Sequence, residues 1–167
     1  VEEKISYLKH KDQALKLAYE VLREAGMELK RTFAPDLNSS MSSIISGLTG
    51  GRYMDLRGDD RLGLKVAVPE NGDVKNALTL SGAAADQMYL ALRLAMSELL
   101  SAGKESLPVI LDEVFSQFDD DRTQLALRYL YESCDKRQTL IFTCKKREVE
   151  MAREICGGKM SPVELQC

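Results

Sequence analysis

The sequence of 167 residues has no tryptophan, a single histidine and no apolar run near the roughly 18 residues that span a bilayer. No secretory signal peptide is visible either. We therefore expect no membrane partner. His10 lies on a charged helical segment, and we assign it no role.

The cysteines lack the spacing of a metal or disulfide framework. None of the four forms a Cys-x-x-Cys pair, and no histidines cluster near them. This pattern is typical of reduced thiols in a cytoplasmic protein, and it argues against a zinc site. The four are Cys134, Cys144, Cys156 and Cys167.

The charge excludes a general attraction to nucleic acid. The net charge is -3, and the densest basic stretch, Lys145-Lys146-Arg147, is followed at once by Glu148 and Glu150. The 44% hydrophobic content is sufficient for one core, so a single domain is the default. The chain starts with valine inside a helical pattern, and we expect it to be a piece of a longer protein.

The first 32 residues predict a coiled-coil segment. Leucines recur every seven residues at Leu8, Leu15, Leu22 and Leu29, and charged residues cover the other faces. An amphipathic helix lying on the domain remains the alternative. Ala34-Pro35 is expected to end this helix, because the residue before proline avoids the α region. The predicted division is therefore 1–32 and 33–167.

A second helix and a small antiparallel meander should follow. Apolar residues from Leu37 to Leu48 recur at helical spacing, and the glycines of 47–51 end that helix. This glycine cluster is not a phosphate-binding P-loop, since no Gly-Lys-Ser/Thr follows. Strands are predicted at 52–57 and 62–68, with turns at 58–60 and 70–73.

A strongly helical segment, Ala83 to Leu100, begins directly after Ser81-Gly82. Its predicted apolar stripe includes Met88 and Met96. Ser81 is placed to cap the helix, whose first N–H groups form a potential anion site. An ordinary capped helix is the alternative interpretation.

Two carboxylates, Asp112 and Glu113, follow the apolar run that begins at Pro108. The run predicts a strand buried on both faces, as in parallel sheets. Ligands gather at the carboxyl ends of such strands, so Asp112 could hold Mg²⁺ and Glu113 could orient or deprotonate water. The alternative is a strand that simply enters a polar loop.

The remainder predicts a βαβ unit. A helix begins at Asp119-Asp120-Asp121, a strand spans 138–143, a helix spans 147–155, and 162–166 is a possible edge strand. Strand, helix, strand and helix in succession indicate an α/β fold with parallel strands and flanking helices.

Four motifs in order resemble the C-terminal head lobe of SMC-like ABC ATPases, the coiled-coil ATPases of chromosome maintenance and double-strand-break repair. They are Leu80-Ser81-Gly82 opening a helix, Asp112-Glu113, Phe118-Asp119, and a strand ending in Thr143-Cys144. The resemblance covers about residues 76–156. It implies an ABC-type P-loop NTPase C-terminal lobe with a small antiparallel meander and an N-terminal coiled-coil stump.

The resemblance also implies roles. Asp112 would match the Walker B carboxylate that supports Mg²⁺, and Glu113 the general base or water-orienting residue. Ser81, Gly82 and Ala83 would match the signature loop, which contacts ATP held by the opposite head of a dimer. Asp119 would match the loop after Walker B that lines the dimer interface.

Three departures from the family pattern matter. Ala83 replaces a second glycine, and its Cβ is expected to crowd a phosphate. Lys145 stands where the switch histidine is expected; it can donate to a phosphate but cannot shuttle a proton near neutral pH. Walker A is absent from this sequence and is expected in an N-terminal lobe across a long coiled coil, so the chain alone should be inactive.

These features leave three functions open. The first is the C-terminal half of an ATP-hydrolysing head, whose implied partners are its Walker A lobe, a second head and DNA. The second is an inactive scaffold for head-to-head association, favoured by Ala83 and Lys145. The third is a transporter's nucleotide-binding subunit, which the heptad leucines and the absence of an upstream P-loop oppose.

Overall fold

The longest element is helix α1, Glu2–Leu48. In this computed structural model, residues 2–59, 63–70, 72–101, 105–133 and 137–165 are described. The chain divides into two compact units, Val1–Asp36 and Leu37–Cys167. No helix in the described ranges is long and apolar enough to cross a membrane.

The first unit is helical, and its heptad leucines are exposed. Leu8, Leu15 and Leu22 are each more than half exposed, while the Leu29 side chain lies outside the described part. Coiled-coil pairing of this stripe, and the division at residue 32, stay predictions.

The predicted helix break at Ala34-Pro35 is wrong, because Pro35 lies inside α1. Proline removes one hydrogen bond, to the carbonyl four residues earlier. Residues 31–36 are all exposed, so solvent can take the place of the missing donor. The helical apolar pattern that resumes at Leu37 then carries the helix to Leu48.

The second unit contains a three-stranded antiparallel sheet and a two-stranded parallel sheet. The meander was predicted, but its first strand begins at Leu56 and not at Arg52, and Leu62 and Asn71 lie outside the described residues. Its strands are β1 Leu56–Gly58, β2 Leu64–Ala67 and β3 Val74–Asn76.

The predicted βαβ unit is confirmed. Strands β4 and β5 pair in parallel, and α3 connects them. The possible edge strand at 162–166 is wrong over 162–165, where no strand forms. The elements are α2 Gly82–Leu100, β4 Val109–Asp112, α3 Asp120–Glu132, β5 Thr139–Phe142 and α4 Lys146–Cys156.

One hydrophobic core joins the elements of this unit. Met41, Ile45 and Leu48 of α1 are fully buried, together with Met88 of α2 and Phe115 of the loop after β4. The predicted α2 stripe is wrong at one position. Met96 is 44% exposed, because the buried face of α2 runs through Ala84 and Ala91 together with the predicted Met88 and Ala95.

Strand β4 is not buried on both faces as predicted. Leu111 faces the core, whereas Ile110 is 64% exposed. The paired positions on β5 repeat the asymmetry, since Leu140 and Phe142 are 38% and 44% exposed. Helices of the described chain cover only one face of this sheet, although parallel sheets are normally covered on both.

Candidate functional site

The carboxyl edge of the parallel sheet brings two loops together. Asp112 at the end of β4 pairs in register with Phe142 at the end of β5. The Glu113 N–H then donates to the Phe142 carbonyl at 2.9 Å, which extends the ladder by one residue. The predicted carboxylate pair therefore lies beside the Thr143-Cys144-Lys145 turn.

Glu113 is held in an unusual conformation. Its φ of 46° is left-handed, the only positive φ of a non-glycine residue in the described ranges. Such a backbone costs about 1–3 kcal/mol and persists where surrounding contacts hold it in place. One of those contacts is the Cys144 N–H, which donates to Glu113 Oε1 at 2.5 Å.

This contact changes the acidity of both partners. The hydrogen bond from the Cys144 backbone N–H lowers the pKa of the Glu113 carboxyl below its usual value of 4.5. The hydrogen bond between the Cys144 side chain and Glu113 raises the pKa of that exposed thiol. The bond thus favours the carboxylate form of Glu113, which can accept a hydrogen bond from water.

Asp112 is an exposed carboxylate with no hydrogen bond or ion pair among the described residues. Its carboxylate oxygens can ligate a Mg²⁺ ion whose other ligands are phosphates and water. The described residues contain no group of three or more metal-ligating side chains. A metal here would therefore depend on ligands outside this part of the chain.

Lys145 reaches both loops of the edge. Its Nζ lies 3.4 Å from Glu148 Oε1 and donates to the Ser116 carbonyl at 3.2 Å. The ammonium group is thus already engaged within the protein, with the side chain 33% exposed. Whether it also meets a phosphate stays a prediction.

Two phenylalanines anchor the loop that follows Glu113. Phe115 and Phe118 are buried, with ring centroids 5.7 Å apart. Asp119 then caps α3, accepting from the Arg122 N–H at 2.9 Å. Arg147 of α4 donates to the Phe118 carbonyl at 3.2 Å, which ties this loop to the first turn of that helix.

The predicted cap of α2 is present. Ser81 Oγ accepts from the Ala84 N–H at 3.4 Å, and both Ser81 and Gly82 are exposed. Ala83 is only 9% exposed and belongs to the core. Its methyl group therefore packs with the core, and this weakens the expectation that it crowds a phosphate.

Gln117 brings the α2 turn next to the loop after β4. A Cβ built on Gly82 would lie 2.5 Å from Gln117 Oε1, so the carboxamide occupies the space above this glycine. Sequence reasoning missed Gln117 and also Glu148. The signal for Glu148 was its position three residues after Lys145 on a helix.

Comparison with known proteins identifies the architecture. No family model matches the chain. A curated relative, the uncharacterized protein YhaN of Bacillus subtilis (strain 168), is 27% identical over 143 residues. That match covers 85% of this chain and 15% of the relative, so the chain spans a small part of that protein.

Solved structures match over a larger share of their own length than that relative does. The SMC head domain of Thermotoga maritima is 26% identical, with a TM-score of 0.52, over 76% of this chain and 44% of that one. The fold is that of an SMC head's C-terminal lobe. A chain from work on ATP-driven dimerization and DNA-stimulated activation of SMC ATPases has a TM-score of 0.58 at 22% identity. It matches over 74% of this chain and 76% of its own length.

A third neighbour is the Smc head domain of Pyrococcus furiosus, with an extended coiled coil and bound to the C-terminal domain of ScpA. It is 21% identical with a TM-score of 0.56, over 85% of this chain and 36% of that one. Identities at this level support the shared fold.

Proposed function

We propose that this chain is the C-terminal half of an ATP-hydrolysing head of an SMC-like ATPase. The observation that supports it best is the edge of the parallel sheet. There a strained, anionic Glu113 lies beside an unpartnered Asp112, and the signature-like helix α2 begins next to the same loop. DNA repair or chromosome maintenance is the process we assign to the whole protein.

Each residue has a distinct role in this proposal. Asp112 would hold the Mg²⁺ that neutralises charge on the transferred phosphoryl group. Glu113 accepts a hydrogen bond from the attacking water and orients it or takes its proton. Ser81 and the free N–H groups of α2 contact a phosphate bound to another head, and Asp119 lines that interface.

A second lobe must supply the nucleotide cradle. The sequence contains no Gly-Lys-Ser/Thr P-loop, so ATP and Mg²⁺ would bind only together with an N-terminal Walker A lobe. The exposed apolar face of β4 and β5 supports this requirement. Ile110, Leu140 and Phe142 form a surface that a further α/β layer would cover.

The further partners are a second head, in a homodimer driven by ATP, and DNA in the full-length protein. Neighbours of the same fold come from work on ATP-driven dimerization and DNA-stimulated activation. Because the net charge of this chain is -3, we expect DNA to contact other parts of the full-length protein. We propose a cytoplasmic location, because the spacing of the cysteines is typical of reduced thiols.

The decisive experiment removes the carboxylate of Glu113 without changing its shape. Glu113→Gln in the full-length protein should retain ATP but hydrolyse it at least about a hundredfold more slowly, the usual scale for a lost base. Turnover and nucleotide titration measure the two effects. Glu150→Gln, at an exposed position of α4, is the matched control. Unchanged turnover in Glu113→Gln would remove the enzymatic proposal.

An ABC-like scaffold that no longer hydrolyses ATP is the second candidate. The ion pair between Lys145 and Glu148 favours it, because the ammonium group that replaces the expected histidine is engaged inside the protein. The exposed Asp112, which has no ion pair among the described residues, and the strained backbone of Glu113 beside it favour the enzyme. A nucleotide-binding subunit of a transporter remains a third, less favoured proposal.

A further inference from the structure

Glu148 is an acidic residue almost completely inside the protein. Its side chain is 2% exposed, on the first turn of α4. Buried carboxylates are costly unless polar partners compensate for the lost water. Among the described residues, the side-chain partners of Glu148 belong to the turn that follows β5.

The first partner is Thr143, whose hydroxyl donates to Glu148 Oε2 at 2.6 Å. The same hydroxyl accepts from the Lys145 N–H at 3.0 Å. The Glu148 N–H in turn donates to the Lys145 carbonyl at 3.1 Å. Glu148 therefore fixes the backbone on both sides of Cys144.

Cys144 connects this fixed turn to the carboxylate of Glu113. Its N–H is the group that donates to Glu113 Oε1, so the direction of that N–H decides where the carboxylate points. The Cys144 N–H lies in the peptide between Thr143 and Cys144, and the next peptide is held through the Lys145 N–H, so the direction of the Cys144 N–H is restricted.

A second path runs through the lysine side chain. The other oxygen of Glu148 accepts no hydrogen bond within the described part of the chain, but lies 3.4 Å from Lys145 Nζ. That ammonium group donates to the Ser116 carbonyl, and the Ser116 N–H donates to the Glu113 carbonyl at 3.1 Å. Both paths from Glu148 end at Glu113.

We infer that Glu148 is a positioning residue that aims the Glu113 carboxylate through the Thr143-Cys144-Lys145 turn. Its catalytic consequence rests on the proposed ATPase function, whereas its geometric consequence does not. A Glu113 carboxylate held by contacts from the buried Glu148 would keep its orientation while the nucleotide binds and dissociates.

The geometric part is tested by the amide resonance of Cys144 in a ¹H–¹⁵N correlation spectrum of this chain. A hydrogen bond to a carboxylate moves an amide proton downfield, and Glu113→Ala defines its position without that bond. Glu148→Ala and Thr143→Val should both shift the Cys144 resonance upfield, towards that position. Glu148→Gln should restore it, because the amide oxygen can still accept from Thr143.

Glu150→Ala, an exposed acid on the same helix, serves as the control and should leave the resonance in place. Thr143→Val keeps the buried acid and nearly the same volume, so it reports even where Glu148→Ala fails to fold. A Cys144 resonance unmoved in Thr143→Val would overturn the inference.

The catalytic part is tested in the full-length protein by separating kcat from KM. Thr143→Val and Glu148→Ala should lower kcat by up to about a hundredfold, as misplaced catalytic groups do, with KM for ATP nearly unchanged. Wild-type kcat in Thr143→Val would overturn this part. If Glu113→Gln also turned over normally, the proposed function would fail, while the amide spectrum would still decide the geometry.

Discussion

At the scale of single residues, the structure shows how one carboxylate is prepared. Glu113 extends the β ladder through its N–H, takes a left-handed φ and accepts from Cys144. The hydrogen bond holds the side chain beside the turn after β5 and favours its charged form. Neighbouring Asp112 has no side-chain hydrogen bond or ion pair among the described residues, and its role as a Mg²⁺ ligand stays a prediction.

Cys144 provides a chemical probe of this arrangement. The Glu113 carboxylate raises the pKa of the thiol, so less thiolate is present near neutral pH. Glu113→Gln should lower that pKa and speed alkylation of Cys144 by iodoacetamide. Peptide mass spectrometry measures the rate at each cysteine, with the partly exposed Cys156 as the internal reference. An equal rate at Cys144 in both proteins would mean that thiol and carboxylate are not in contact.

At the scale of elements, the N-terminus of α2 fits two roles, a phosphate-binding site and an ordinary helix cap. Ser81 already caps the helix, and Gln117 lies over Gly82. Ser81 and Gln117 are both exposed, so a phosphate from another subunit could approach this end of the helix. The same geometry would serve an ordinary capped helix, and a substitution is needed to separate the two.

Ser81→Arg should separate them, because it places a long side chain where the second head would approach. The fold should survive, since the loss is a cap worth about 1 kcal/mol. ATP-driven dimerisation should fail, while ATP binding at each head's own P-loop persists. Light scattering and nucleotide titration of the full-length protein measure both. Dimerisation that survives the substitution would favour the scaffold proposal.

Helix α1 contains Pro35 in its interior, where proline is unfavourable. Pro35 lies in an exposed stretch and is not part of the hydrophobic core. Pro35→Ala should stabilise the helix by up to about 3 kcal/mol, the difference in helix propensity. Thermal unfolding followed by circular dichroism of this chain measures it, with Ala34→Gly as an opposing control. A lower melting temperature in Pro35→Ala would show that the proline has a tertiary role.

At the scale of the whole molecule, the parallel sheet is incomplete within the described chain. Its inner face joins the core through Leu111, and its outer face shows Ile110, Leu140 and Phe142 to solvent. Surfaces of this kind normally mark a site of association.

Substitutions on the two faces should behave differently. Ile110→Gln should change the stability of this chain by no more than about 0.5 kcal/mol, because the side chain is already exposed. Leu111→Ala should cost about 2–5 kcal/mol. In the full-length protein, Ile110→Gln should instead lower the melting temperature. Urea unfolding measures the effect of each substitution on this chain, and calorimetry measures it on the full-length protein. Equal effects of Ile110→Gln in the two proteins would mean that no lobe covers this face.

Local sequence was enough to predict most elements. Helix α2 with its Ser81 cap, the βαβ order and the acids at the end of β4 all follow from short-range signals. Capping and apolar periodicity operate within a few residues, so they can be read without the fold. Because strand ends meet at one edge in a parallel sheet, placing Asp112 and Glu113 beside residue 143 also required only the topology.

Tertiary structure decided the rest. No local pattern indicates that Ile110 faces solvent, since burial depends on which neighbouring layer is present. The continuation of α1 through Pro35 depends on exposure, which the proline rule ignores. The contacts from Glu148 to Thr143 and from Cys144 to Glu113 join separate segments, and a hydrogen bond between loops exists only once the sheet has brought them together.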